Sequence, residues 1–210
     1  MPILCFEGPS AVGKTTVAAY LAAEAGAVVV PEVNALFERP ADAPPAWYFE
    51  RQADRWALAA EHARTHPLVV LDGDPFQPLW YNWAYGFAGR QGLDFMEAFY
   101  RPRLVAGTLG FPDRYFLFAA DERTLRARKD ADSTRGRGGF EAHLAFVAPQ
   151  RRYFEAMRAL SPNRVRLLDA RAVAESADAV RTAAAHAEPE PNPVALFDGL
   201  GAWLRAHPAG

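Results

Sequence analysis

The chain has 210 residues, half of them hydrophobic and 23% charged, the make-up of a globular protein long enough to bury a core without disulfides or metal staples. With 23 basic against 25 acidic residues the formal net charge is -2, which argues against a broad basic face for nucleic acid. Cys5 stands alone, no apolar run approaches the roughly 18 residues of a membrane span, and no basic-then-apolar leader opens the chain, so the expectation is a cytoplasmic protein with neither nucleic-acid nor membrane partners.

Residues 3–6 are a short apolar run that fits a buried strand, broken by the glycine-flanked segment 8–13. Residues 15–25 are alanine-rich and predict a helix stopped by Gly26. A second strand is expected at 27–30, ended by Pro31, and Pro40, Pro44 and Pro45 mark a loop. Residues 47–65 predict a long helix with a charged side, and 68–71 a third buried strand. The aromatic stretch 75–92 is expected to be helical beyond Pro78, with a further helix at 94–109. A strand at 115–119, a helix at 122–130 and a polar, arginine- and glycine-rich loop at 133–139 follow. Residues 141–160 resume a helix that Pro149 interrupts or kinks, then come a fifth strand at 165–168 and a helix at 171–186. The proline-rich segment 188–193 is a stiff linker, and 194–207 a terminal helix. Strands alternating with helices imply a parallel sheet covered on both faces, an α/β domain over 1–187 with a lid at about 130–139, followed by linker and helix in 188–210. That helix can pack on the sheet, or join two chains as a homodimer through Leu196, Phe197, Leu200, Trp203 and Leu204.

The segment Gly8-Pro9-Ser10-Ala11-Val12-Gly13-Lys14-Thr15 fits the phosphate-loop (Walker A) pattern G-x-x-x-x-G-K-[ST]. A polyphosphate needs many donors at short range, and the glycines let the amides of Gly8, Ser10, Ala11, Val12 and Gly13 turn inward around it. The helix that follows, through Lys14, Thr15 and Thr16, points its positive end at the same anion. In such a loop Lys14 reaches the β- and γ-phosphates of ATP and the Thr15 hydroxyl ligates Mg2+. Only Lys14 and Lys129 are lysines among the 23 basic residues, so a lysine at this position is informative.

Asp72 ends the third strand in a carboxylate, the place from which a phosphate-loop fold holds Mg2+, and Asp74 stands two residues on. Either one could instead cap the following turn. Glu32 follows the second strand at the carboxyl edge of the sheet, where it could take the proton of an attacking hydroxyl. Arg123, Arg126, Arg128, Lys129, Arg135 and Arg137 surround the glycine-containing loop and suit a lid that covers transferring phosphate, with Arg128 as the charge-stabilising member. The plainer alternative is a solvated loop. Two aromatic clusters, Trp47 to Phe49 with Gln52 and Trp80 to Tyr85, are core or the walls of an acceptor pocket; Trp47, Gln52, Asp74 and Trp80 are the candidate acceptor-binding residues.

With these residues in place, the chain resembles the deoxynucleoside kinase and thymidylate kinase branch of the phosphate-loop kinases over residues 3–169, most strongly at the phosphate loop. The resemblance implies a five-stranded parallel sheet in the order 2-3-1-4-5 sandwiched by helices. It implies Glu32 as general base, Asp72 as the strand-end acid, Trp47 and Gln52 as the aromatic and the base-reading glutamine, and Arg126 or Arg128 with Arg135 and Arg137 as lid arginines that contact ATP. The chain departs from that pattern where deoxynucleoside kinases follow the strand-end acid with Arg-Ser, having Gly73-Asp74 instead. Chloramphenicol phosphotransferase and other kinases of small alcohols share the architecture.

The leading expectation is an ATP-dependent, Mg2+-dependent transfer of a phosphoryl group to a hydroxyl of a nucleoside-like small molecule. The alternatives are an antibiotic or other small-alcohol kinase, a nucleoside monophosphate kinase using Arg39, Arg51 and Arg55, and a nucleotide-dependent switch ATPase. Against a GTPase switch, neither lysine follows an asparagine, so the Asn-Lys-x-Asp guanine reader is absent.

Overall fold

The structure, a computed structural model, describes residues 1–132 and 139–209. Taken in chain order, the elements are β1 (Ile3–Glu7), α1 (Lys14–Ala25), β2 (Val28–Val30), α2 (Val33–Leu36), α3 (Trp47–His62), β3 (Val69–Asp72), α4 (Gln77–Ala84) and α5 (Leu93–Val105). The second half supplies β4 (Arg114–Ala119), α6 (Glu122–Ala131), α7 (Phe140–Ala145), α8 (Val147–Leu160), β5 (Val165–Asp169), α9 (Val173–Ala184) and α10 (Pro193–Ala206).

The five strands form one all-parallel sheet in the order β2-β3-β1-β4-β5. The order follows from hydrophobicity. β1 and β3 are buried along their whole length and lie inside, whereas β2 and β5 carry half-buried or exposed positions and take the edges. Side chains alternate between the two faces, so β1 sends Ile3 and Cys5 into one apolar cluster and Leu4 and Phe6 into the other. The first cluster is closed by α3, α4, α5, α8 and α10, the second by α1, α6 and α9.

Three local departures from the sequence-based expectation have physical causes. The predicted helix at 141–160 is two helices, because Pro149 sits in the first turn of α8 and cannot donate to a continuing ladder from α7. The turn α2, unanticipated, is a single short turn that begins directly after Glu32. The predicted helix at 94–109 ends at Val105, followed by Gly107 in the left-handed region at φ 67°.

Helix α10 opens with Asn192, whose Oδ1 accepts the Ala195 N–H at 3.0 Å, and packs on α5 and α8 of its own chain. Leu196, Phe197, Leu200 and Leu204 are buried there, Trp203 lies 5.2 Å from Trp83, and the Trp83 indole N–H donates to the His207 carbonyl at 2.6 Å. Its apolar face therefore covers a helical layer, not the sheet. Among the described residues no helix is long and apolar enough to cross a membrane.

Candidate active site

The turn from β1 into α1 is wound by three left-handed residues, Gly8 at φ 133°, Ala11 at φ 66° and Gly13 at φ 107°. That alternation turns successive amides toward one centre, the geometry of an anion nest. Ala11 adopts it at a cost of order 1 kcal/mol, strain of the kind that functional loops retain. Gly8 is obligatory, since a Cβ there would lie 2.4 Å from the Phe118 carbonyl oxygen. At the head of the loop the Lys14 ammonium donates to the carbonyls of Gly8 at 2.7 Å and Pro9 at 3.2 Å. Helix α1 starts at Lys14 without a side-chain cap and without an acid in its first turn, so its positive end faces the loop unopposed.

Thr15 Oγ1 donates to Asp72 Oδ2 at 3.2 Å, from the first turn of α1 to the end of β3. The other oxygen, Asp72 Oδ1, is buried with no hydrogen-bond partner among the described residues. A hydroxyl and an orphaned carboxylate oxygen beside a phosphate-binding loop are hard donors, the set Mg2+ takes together with phosphate oxygens and water. No group of three His, Cys, Asp or Glu side chains is assembled for a metal among the described residues.

Glu32 stands at the end of β2 as the residue that opens α2, and it lines the same cleft. Its side chain passes over Gly73, where an added Cβ would lie 3.8 Å from Glu32 Cγ. The expectation for Asp74 as an acceptor-binding residue is corrected. Asp74 is fully buried, and its Oδ1 accepts the Phe76 N–H at 3.0 Å and the Tyr115 hydroxyl at 2.9 Å. Burial pushes its carboxyl up to about 7. It caps the turn into α4 from the core side, outside the cleft.

Glu7 was not anticipated. It closes β1 immediately before the phosphate loop, lines the cleft, and is almost wholly buried. Its Oε1 accepts the Asp74 N–H and its Oε2 the Gln150 amide, each at 2.7 Å. Burial, then the neighbouring Asp74, push its carboxyl up to about 8. A charged residue ending an otherwise apolar strand was the signal available in the sequence.

Of the predicted lid arginines, Arg128 donates to the Val12 carbonyl at 2.8 Å and to the Ala170 carbonyl at 3.1 Å, so it ties the phosphate loop to the turn after β5. Arg126, the alternative to Arg128, does not line the cleft. It lies two residues before Arg128 on α6, faces outward, and is held by Glu122 and by both oxygens of Glu141. Arg135 and Arg137 lie outside the described residues.

The cleft has a volume of about 1420 Å³ and runs from the loop between β5 and α9 (Arg171, Val173), past the phosphate loop, to a wall of Tyr48, Gln77, Trp80, Tyr81 and Phe146. Trp80 is on that wall as expected. Trp47 and Gln52 are not: both are buried, and Gln52 Oε1 accepts from Arg55 at 2.5 Å. In their place Tyr48 faces the cleft, its hydroxyl donating to Gln77 Oε1 at 2.5 Å, and burial pushes that phenol up to about 12. Of the three arginines considered for an acceptor phosphate, Arg51 pairs with Asp54 and Arg55 is buried on backbone carbonyls, leaving Arg39 in the cleft with the unanticipated Arg90.

No protein-family model and no curated protein matches the sequence. Solved structures do match. Deoxyadenosine kinase from M. mycoides with bound dATP superposes with a TM-score of 0.56 at 15% identity, covering 87% of this chain and 98% of that one. The same kinase with the products dCMP and a flexible dCDP bound gives 0.54 at 14% identity, over 89% and 100% of the two chains. Strand order, the glycine-flanked loop after β1 and nearly complete coverage agree: the chain has the fold of the phosphate-loop deoxynucleoside kinases.

Proposed function

We propose that this protein is an ATP-dependent kinase that transfers the γ-phosphoryl group, with Mg2+, to a hydroxyl of a nucleoside-like small molecule. The observation that carries the reading is a single cleft lined by Lys14, Thr15 and Glu32, with Asp72 hydrogen-bonded to Thr15 at 3.2 Å. The loop amides and Lys14 would hold the triphosphate, and Thr15 and Asp72 would hold Mg2+. Bound there, Mg2+ supplies neutralisation of charge on the β- and γ-phosphate oxygens. Glu32 would orient the acceptor hydroxyl and remove its proton as the new P–O bond forms, and Lys14 would stabilise charge on the transferring group. Tyr48, Gln77 and Trp80 would bind the acceptor. Deoxyadenosine kinase of the same fold, in one structure with dATP and in another with dCMP and dCDP bound, supports a nucleoside-like acceptor here. A buried, unpaired Cys5 suits the reducing cytoplasm in which such an enzyme would act.

A second reading, an acceptor that already bears a phosphate, is favoured by Arg39 and Arg90, cleft residues with no carboxylate partner among the described residues. The test is phosphoryl transfer from ATP with Mg2+ across nucleosides, nucleoside monophosphates, aminoglycosides, chloramphenicol and simple alcohols, with products identified by mass. A nucleoside product that falls by about 10²–10⁴-fold in Glu32→Gln and by about 10²–10³-fold in Lys14→Ala is the expected result. ATP hydrolysis with no phosphorylated product in any lane would overturn the kinase assignment.

A further inference from the structure

Three arginines are buried among the described residues, Arg55, Arg114 and Arg164, and all three donate to backbone carbonyls. Arg114 opens β4 and Arg164 directly precedes β5, so both serve the amino edge of the sheet, away from the cleft. Arg55 alone serves the carboxyl edge. It reaches there from α3, where Phe49, Gln52, Arg55 and Ala59 form the buried face of the helix.

The ladder between β2 and β3 runs through Val30 opposite Leu71 and then stops. Pro31, next on β2, has no N–H to continue it. Arg55 takes over where the ladder ends. Its Nε donates to the Pro31 carbonyl at 2.6 Å, and its Nη2 donates to the carbonyls of Asp72 at 2.7 Å and Gly73 at 3.1 Å. Gln52 holds the remaining arm through Nη1 at 2.5 Å. Pro31 is the residue before Glu32, and Asp72 is the partner of Thr15, so one rigid guanidinium bonds both backbones that carry the site's two acids.

We infer that Arg55 is a positioning residue: its guanidinium sets Glu32 and Asp72 at a fixed spacing above the ends of β2 and β3, so that acceptor hydroxyl and metal-bound phosphate meet in register. The inference rests on the kinase reading and goes beyond it, since Arg55 touches neither substrate. Planarity is the essential property. A guanidinium presents donors in a fixed fork that spans two strands, whereas an ammonium is a point charge on a flexible stem that satisfies one carbonyl group or the other. Reaction geometry off by about 1 Å costs roughly 10²-fold in rate.

The experiment compares Arg55→Lys with Arg114→Lys, the same substitution at a buried arginine that donates to the carbonyls of Ala183 and His186 at the far edge. Two quantities are read in the full chain: kcat and KM for transfer to whichever acceptor the wild type uses, and the factor by which Mg2+ tightens ATP binding. Arg55→Lys is expected to lose roughly 30–100-fold in kcat, with ATP affinity in the absence of Mg2+ kept within about threefold and the Mg2+ enhancement largely lost. Arg114→Lys is expected to lose thermal stability while keeping both quantities. Equal losses in the two variants, in proportion to their stability, would make Arg55 structural only and overturn the inference. So would an Arg55→Lys protein with unchanged Mg2+ enhancement and kcat. Failure of the kinase reading appears separately, in the wild type, as absence of transfer to any acceptor; the Mg2+ enhancement then still tests Arg55, because it needs ATP and metal alone.

Discussion

The Glu7 carboxylate accepts the backbone N–H of Asp74 at 2.7 Å, which fastens the residue before the phosphate loop to the turn that follows Asp72. Two carboxyls thus sit side by side under the cleft floor, Glu7 almost wholly and Asp74 fully buried. Among the described residues neither has a cationic hydrogen-bond partner; Glu7 has the neutral amide of Gln150 and Asp74 the hydroxyl of Tyr115. An amide can donate to a carboxylate or, turned over, accept from a carboxylic acid, so Gln150 accommodates either protonation state.

The sign of the resulting pH dependence follows from the upward shifts to about 8 for Glu7 and about 7 for Asp74, caused chiefly by burial. Between the ordinary carboxylate range and these values the folded protein holds protons that the unfolded chain releases. This contribution to stability is therefore complete below about pH 4 and is lost as pH rises toward 8, at up to about 1.4 kcal/mol per pH unit for each group. Urea unfolding of wild type and Glu7→Gln at pH 5, 7 and 9 checks it. The variant is expected to show a flatter profile and to exceed the wild type at pH 9. A wild type that gains on Glu7→Gln as pH rises from 5 to 9 would mean that Glu7 is ionised in the fold.

Gly8→Ala tests the phosphate loop as a shaped backbone. The new Cβ would meet the Phe118 carbonyl oxygen at 2.4 Å, and φ of 133° is a conformation that L side chains rarely adopt. The loop must shift, so ATP binding measured by calorimetry is expected to fall by at least tenfold, with stability lowered by about 1–3 kcal/mol.

Arg128 and Arg126 lie two residues apart on α6 and have different fates. Arg128 bonds the phosphate loop at Val12 and the post-β5 turn at Ala170, whereas Arg126 forms exposed ion pairs with Glu122 and Glu141. Arg128→Ala is expected to raise KM for ATP roughly tenfold, the equivalent of about 1.4 kcal/mol of lost binding, and Arg126→Ala to change it less than twofold. Steady-state kinetics with ATP varied separates them. A reversed order would mean that α6 rotates on nucleotide binding.

Periodicity and punctuation exposed most of the fold before any coordinates. The five apolar runs, Gly26 after α1 and the prolines around 40–45 delimit elements by chemistry that acts locally, and the phosphate loop is contiguous, so its pattern survives in a bare sequence. The acceptor wall is different. Tyr48 and Gln77 meet across 29 positions and Glu7 and Gln150 across 143, and such meetings depend on packing rather than spacing. Trp47 and Gln52 were expected on that wall because of their residue types. Position along α3 decides otherwise: Tyr48 and Gln52 share one face a turn apart, Tyr48 at the helix start reaching the cleft and Gln52 buried against Arg55. The two buried polar residues Gln52 and Arg55 were the legible trace of a buried arginine site.

The terminal helix bears on where the domain ends. Phe197 lies among Phe76, 6.2 Å away, and Tyr100, 6.0 Å away, and Phe76 in turn stacks on Phe111 at 4.2 Å. That cluster continues through Tyr100 to Phe49 on α3, the helix whose buried side also carries Arg55. Helix α10 is thus a wall of the core that supports the site. Phe197→Ala is expected to destabilise the protein by about 3–5 kcal/mol, the cost of a large buried cavity. A chain ending at residue 187 would bare Leu196's and Leu200's partners on α5 and α8, and is expected to aggregate or to melt far below the full chain in a calorimetric scan. If the shortened chain instead melts cooperatively at the full-length temperature, α10 is an appendage and residues 1–187 are the folding unit.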